Sequence, residues 1–193
     1  MESWTDCCII MGNLSNFDLS SYNCNVYVET GTGQCGTLST AFPHFETCYS
    51  VDIEKEFVTN AKGRYPTAVV DCGLSIEVLE RWLRHSIKQS DRVLFFLDAH
   101  FPGADFKGAR YSVDAPNAVP LKEEIELIKK YRPNCKDVII CDDARIYMIG
   151  DFAGGNVEYL QVPGGIDFIY DLYPKEKVSI LYFDEGYIVI DNR

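Results

Sequence analysis

The residues of this chain best suited to chemistry sit where short apolar runs end. Asp98 closes Val93-Leu94-Phe95-Phe96-Leu97, His100 follows two residues later, and Asp142-Asp143 close Val138-Ile139-Ile140-Cys141. Three carboxylates from two strands that should be sheet neighbours are hard oxygen donors. They suit Mg²⁺, Mn²⁺ or Ca²⁺ and not zinc. Water and a substrate oxygen could complete the shell. If a metal polarises a substrate hydroxyl, the imidazole of His100 could take its proton near neutral pH. A surface or structural histidine at that position stays open as the plainer reading. His44 and His85 lack such a setting and read as structural.

A second constellation lies near the start. Val26-Tyr27-Val28 suits a strand; Glu29 ends it, and Gly31-Thr32-Gly33-Gln34-Cys35-Gly36 follows. Glycines there permit backbone angles and close approaches that a side chain would block. Strand, glycine turn and helix N-terminus together form a nucleotide-type pocket, shared by several classes of protein. Asp52, sixteen residues after Gly36 and next to Ile53, suits an acid that accepts from ribose hydroxyls. Asp71, with Cys72 and Ser75 nearby, would then border the base, and Glu29 would face any amino-acid end of the ligand.

The elements that position these groups alternate along the chain. Strands are expected at the run ending in Glu29, at 48–52, 67–71, 92–98 and 138–143. Helices are expected at 37–42, 54–64, from a Ser75 cap along Ile76, Leu79, Leu83 and Ile87, and at 120–131 along Leu121, Ile125 and Ile128. This alternation implies an α/β, Rossmann-like doubly wound, mostly parallel sheet. The end breaks the pattern: 178–183 and 187–190 flank Asp184-Glu185-Gly186 as an antiparallel hairpin. The polar stretch 99–117 reads as a long loop of the kind that closes over ligands. Residues 150–172 show no clear pattern.

Five strands ending in acids crowd negative charge onto one rim. Any single acid there could cap a helix or sit in a solvated turn. Five in succession are costly unless a cation or ligand hydroxyls use them. The formal charge of −11 opposes a nucleic-acid partner. With 193 residues the chain reads as one domain, 1–193, with an N-terminal segment at 1–24. No apolar run reaches a membrane span, and the N-terminus is neither basic nor long enough in its apolar run for a secretory signal. The eight cysteines form no Cys-x-x-Cys and read as small buried apolar residues of a reducing compartment, so a cytoplasmic location is expected.

Taken together, the residues resemble a class I S-adenosylmethionine-dependent methyltransferase. Val28-Glu29-Thr30-Gly31-Thr32-Gly33 resembles that family's first motif, Val51-Asp52 its second and Leu97-Asp98 its fourth; the hairpin resembles its reversed last strand. The resemblance covers about residues 25–193. More narrowly, Leu97-Asp98-Ala99-His100 with Ile140-Cys141-Asp142-Asp143 is similar to metal-dependent sugar O-methyltransferases of the macrocin type. It implies S-adenosylmethionine held by Glu29, Gly31, Thr32, Gly33, Gly36, Asp52, Ile53, Asp71, Cys72 and Asp98. It implies Mg²⁺ (or Mn²⁺) on Asp98, Asp142 and Asp143, and a base at His100, where the family typically carries Asp. The chain also lacks that family's N-terminal extension.

The implied acceptor is a small molecule or carbohydrate hydroxyl. Lys107, Arg110 and Arg145 could meet an acidic acceptor, and Tyr111 and Tyr147 could stack on a ring, unless they are solvated charges and core. A homodimer stays open. Two other classes compete. An NAD(P)-binding oxidoreductase or epimerase shares the glycines and Asp52, yet leaves Glu29 and the hairpin without a role. A non-catalytic S-adenosylmethionine-binding module leaves the rim of acids without one.

Overall fold

The computed structural model describes residues 13–100, 118–157 and 161–193. Most of the expected 99–117 loop, with Lys107, Arg110 and Tyr111, lies outside the described residues, as do Cys7 and Cys8.

Seven strands form one sheet: β1 (Val26–Thr30), β2 (Thr47–Asp52), β3 (Val69–Cys72), β4 (Val93–Leu97), β5 (Val138–Cys141), β6 (Val178–Leu181) and β7 (Tyr187–Asp191). Their order is β3-β2-β1-β4-β5-β7-β6. β1 to β5 pair in parallel, and β7 lies antiparallel between β5 and β6. Helices α1 (Gly36–Ala41), α2 (Lys55–Arg64), α3 (Ser75–His85), α4 (Leu121–Tyr131) and α5 (Asp167–Leu172) complete the α/β architecture. Every residue of β1, β4 and β5 is buried, as central parallel strands covered on both faces must be.

Two apolar layers cover the sheet. One contains Leu79, Trp82 and Leu83 of α3 and Ile125 and Ile128 of α4, packed on Val28, Phe95 and Ile139. The other contains Leu38 of α1 and Val58 of α2, packed with Leu14 and Leu19 on Tyr27, Leu94 and Ile140. Phe17 of the N-terminal segment meets the Tyr187 ring edge-on at 5.1 Å.

At the rim away from the carboxyl ends of the strands, a buried ion pair joins β4 to the approach to β5. Arg132 Nε and Nη2 donate to the two oxygens of Asp137 at 2.7 and 2.9 Å. Arg132 Nη1 also donates to the Lys88 carbonyl, and Asp137 Oδ1 accepts from the Val93 N–H.

Three local expectations change. Ser75 is the first residue of α3, with no capping bond from the preceding position. The buried face of α3 is Val78, Leu79, Trp82 and Leu83, so Ile76 is only half-buried. The unpatterned 150–172 stretch contains α5, whose six residues follow Pro163-Gly164-Gly165 and are too few to show a period. The hairpin turns over 182–186, where Gly186 has φ +82° and a Cβ would lie 2.3 Å from the Phe152 ring. Among the described residues, no helix is long and apolar enough to cross a membrane.

Candidate active site at the switch point

Strand order reverses between β1 and β4, and ligands of open α/β sheets bind outside the carboxyl ends at such a point. The first glycine of the turn is fixed there by contact with β4. Gly31 has φ +85°, and a Cβ on it would lie 2.4 Å from the Asp98 carbonyl oxygen. The Gly31 and Thr32 N–H groups donate to Val51 O at 2.9 and 3.1 Å, and the Asp98 N–H donates to Thr30 O at 3.0 Å. The turn therefore bridges β2 and β4 and brings its backbone against Asp98.

Beneath the turn, Glu29 is fully buried within a cage of hydroxyls. Tyr27 and Thr37 donate to Oε2 at 2.7 and 2.8 Å, and Ser50 donates to Oε1 at 2.6 Å. Thr32 Oγ1 lies 2.5 Å from Ser50 Oγ. With the Ser50 proton committed to Glu29, the Thr32 hydroxyl is the donor of that pair. Burial pushes Glu29 up to about 7 despite these donors. Glu29 and the Thr32 side chain thus face inward rather than onto the rim. Asp52 closes the turn from β2: Oδ2 accepts from the Gly33 N–H and Oδ1 from the Glu54 N–H, both at 2.8 Å. Ile53 is 40% exposed beside it, and Cys72 at the end of β3 is exposed too. Asp71 turns toward α3, its Oδ2 accepting from Arg81 Nη2 at 2.7 Å and Trp82 Nε1 at 3.0 Å. Gly36 opens α1, after Cys35 in the left-handed region.

The β4–β5 side gathers the other group. One donor atom each from Asp98, His100 and Asp142 lies within 4.8 Å of the others. His100 Nε2 is 3.2 Å from Asp98 Oδ1 and 3.5 Å from Asp143 Oδ2. Asp142 is 5% exposed, and its Oδ1 has no hydrogen-bond partner among the described residues. Burial first, then the neighbouring charges of Asp98 and Asp143, pushes its carboxyl well up. Asp143, in the left-handed region at φ 55°, points Oδ1 at Arg145 Nε, 2.6 Å away. Arg145 also donates to the Gly154 carbonyl at 3.0 Å and lies 3.8 Å from Glu185 Oε1. That side chain is an internal strut between the β5 end and the hairpin turn, and not a solvated charge.

Sequence reasoning missed Glu124. It occupies the apolar stripe of α4 between Leu121 and Ile125, is 1% exposed, and has an Oε1 without a hydrogen-bond partner among the described residues. Burial pushes it up to about 7, with the Ser75 and Thr30 hydroxyls pulling the other way. Glu124 lines a small cavity with Leu97, Ala99, His100, Pro120, Leu121 and Tyr147. The signal was an acid at a core position of a helical stripe. Tyr147 is buried there, which makes it wall and not an exposed stacking platform. Of the cysteines, Cys35, Cys48 and Cys141 are buried as expected, whereas Cys72 is exposed. His44 and His85 are exposed at the surface, away from this cluster.

A seven-stranded sheet in this order, with its one reversed strand next to the last edge strand and a glycine turn at the switch point, has the fold of class I methyltransferases. No family profile matches the chain, and no curated protein matches it in sequence. Solved structures do match. A candidate caffeoyl-CoA O-methyltransferase from Staphylococcus aureus superposes with TM-score 0.54 at 13% identity, over 90% of this chain and 78% of that one. A candidate type 11 methyltransferase from Sulfolobus solfataricus gives 0.51 at 10% identity, over 93% and 92%. Spermidine synthase in complex with the transition state analogue AdoDATO gives 0.55 at 11% identity, over 89% of this chain but only 54% of that one.

Proposed function

We propose that this protein is an S-adenosylmethionine-dependent O-methyltransferase acting on a hydroxyl of a sugar or other small acceptor, assisted by a divalent cation. The observation that carries the reading is the contact between the two halves of the rim. The Gly31 backbone packs against Asp98, so a donor cradled by the turn would adjoin the cluster of Asp98, His100 and Asp142.

The residues fit the donor. Asp52 holds the turn with one lone pair of each oxygen and keeps others for ribose hydroxyls. The exposed Ile53 and Cys72 offer apolar surface for a base. They fit a cation as well, because the buried Asp142 Oδ1 lacks a hydrogen-bond partner among the described residues and lies beside a second carboxylate. S-Adenosylmethionine, when bound, supplies a sulfonium methyl that is already electrophilic. A cation on these side chains would favour the ionised form of an acceptor hydroxyl. The protein's own task is alignment, since holding two reactants in line replaces a bimolecular encounter with a local one. As the acceptor oxygen bonds to the methyl carbon, the carbon–sulfur bond breaks and S-adenosylhomocysteine leaves neutral. The acceptor's proton passes to this cluster or to water.

The test is production of S-adenosylhomocysteine from S-adenosylmethionine with a panel of sugars and phenols, with and without divalent cation. Acceptor-dependent turnover that Asp142→Asn removes is the expected result. Turnover of none of them, with no binding of S-adenosylhomocysteine, overturns the reading.

A further inference from the structure

We propose that His100 is a metal ligand in this chain, and that Asp98, Asp142 and His100 form a mixed oxygen–nitrogen site selective for first-row transition cations over Mg²⁺. This rests on the divalent-cation part of the proposed function and changes both the ligand set and the metal. The Nε2 lone pair can bind a cation or accept a proton, not both, so ligation replaces the role of base.

Spacing is the first argument. Two ligands roughly 2.1 Å from one cation and at right angles to each other are roughly 3.0 Å apart. His100 Nε2 and Asp98 Oδ1 are 3.2 Å apart, and one donor atom each from Asp98, His100 and Asp142 lies within 4.8 Å of the others, so a small contraction would close a shared shell. The second argument is the carboxylate oxygen of Asp142, buried without a hydrogen-bond partner among the described residues. A buried carboxylate in that state is costly, and here a second carboxylate beside it raises the cost. A cation answers both at once.

Charge supplies the third argument. Asp143, the third oxygen donor expected from the sequence, is already paired. Its Oδ1 accepts from Arg145 at 2.6 Å, and Arg145 is itself fixed by the Gly154 carbonyl and Glu185. That pairing leaves Asp98 and Asp142 as the two carboxylate donors of the cluster, with the neutral imidazole as third donor. Carboxylate oxygens alone suit Mg²⁺ and Ca²⁺, whereas an imidazole shifts preference toward later divalent metals along the Mn²⁺, Fe²⁺, Co²⁺ order.

The structure contains a rival within the same atoms. A protonated His100, between Asp98 at 3.2 Å and Asp143 at 3.5 Å, would itself be the cation of the cluster. Calorimetric titration of the whole protein with MgCl₂, MnCl₂ and CoCl₂ separates the two, together with electron spin echo modulation of the Mn²⁺ complex. The expected result is affinity rising from Mg²⁺ through Mn²⁺ to Co²⁺, by at least about tenfold between the first and last. The Mn²⁺ spectrum should carry ¹⁴N coupling from one imidazole, and His100→Ala should lose that coupling and most of the preference. The wild-type spectrum decides even if the variant fails to fold. Mn²⁺ bound without nitrogen coupling, or equal affinity for Mg²⁺ and Co²⁺, overturns the inference and leaves the proposed methyl transfer intact. No metal bound, with normal binding of S-adenosylhomocysteine, overturns it in favour of the imidazolium. Loss of S-adenosylhomocysteine binding as well would overturn the methyltransferase reading along with it.

Discussion

The two halves of the carboxyl rim handle buried acid in opposite ways. At β1–β2, Glu29 has three hydroxyl donors on its two oxygens, and both oxygens of Asp52 accept backbone N–H groups. At β4–β5, an oxygen of Asp142 is buried without a hydrogen-bond partner among the described residues, and Asp98 stands beside it. The first half is complete from its own chain, as befits a scaffold that keeps one shape whether or not a ligand is present. Among the described residues, the second half carries more negative charge than its neighbours neutralise, which is the signature of a group that something else completes.

The comparison is broken most severely at the incomplete half. Asp142→Asn or Asp98→Asn should lower methyl transfer by at least about 10²-fold while the dissociation constant of S-adenosylhomocysteine stays within about twofold. Equal loss of both would mean that the two halves are not separable. On the complete half, Glu29→Gln at pH 8 puts an amide N–H₂ among three hydroxyl donors. It should cost about 1–3 kcal/mol of stability in denaturant titration and weaken S-adenosylhomocysteine binding by roughly tenfold. Unchanged binding would show that the cage does not shape the turn.

Glu124 sharpens the contrast, because it is a buried acid belonging to neither set. Folding raises its pKa from the ordinary 4.5 to about 7. Between those values the native state keeps a proton that the unfolded chain has released, so this group makes stability fall as pH rises. The full interval corresponds to roughly 3 kcal/mol. Glu124→Gln should therefore stabilise the protein at pH 8 and leave it little changed at pH 4.5; stabilisation equal at both would contradict the assignment. The smallest effect is expected at Arg81→Ala. Its pair with Asp71 is exposed, and its loss should change stability by under about 1 kcal/mol and donor binding hardly at all.

Much of this contrast was legible in the chain. Apolar runs closed by Glu29, Asp52, Asp98 and Asp142 marked the strands and, Glu29 apart, their rim, because a parallel strand buried on both faces is a continuous apolar run that breaks off where the chain reaches water. The glycine turn was legible for the same local reason. The hydroxyl cage was not, since it depends on register: Glu29 pairs with Ser50 only once β1 lies against β2. Strand ends alone gave Asp143 and Asp142 equal claims to a cation. Only the left-handed backbone at Asp143, which turns its side chain to Arg145, separates them. Glu124 was overlooked because helical periodicity counts apolar positions and passes over a polar residue that interrupts them.

The central claim is that the β1–β2 half holds the donor without help from the other half. Calorimetric titration of S-adenosylhomocysteine into the protein in excess chelator, repeated with NAD⁺, tests it directly. The account predicts saturable one-to-one binding of S-adenosylhomocysteine and no heat from NAD⁺. Binding of NAD⁺ in its place, or of neither, would contradict it.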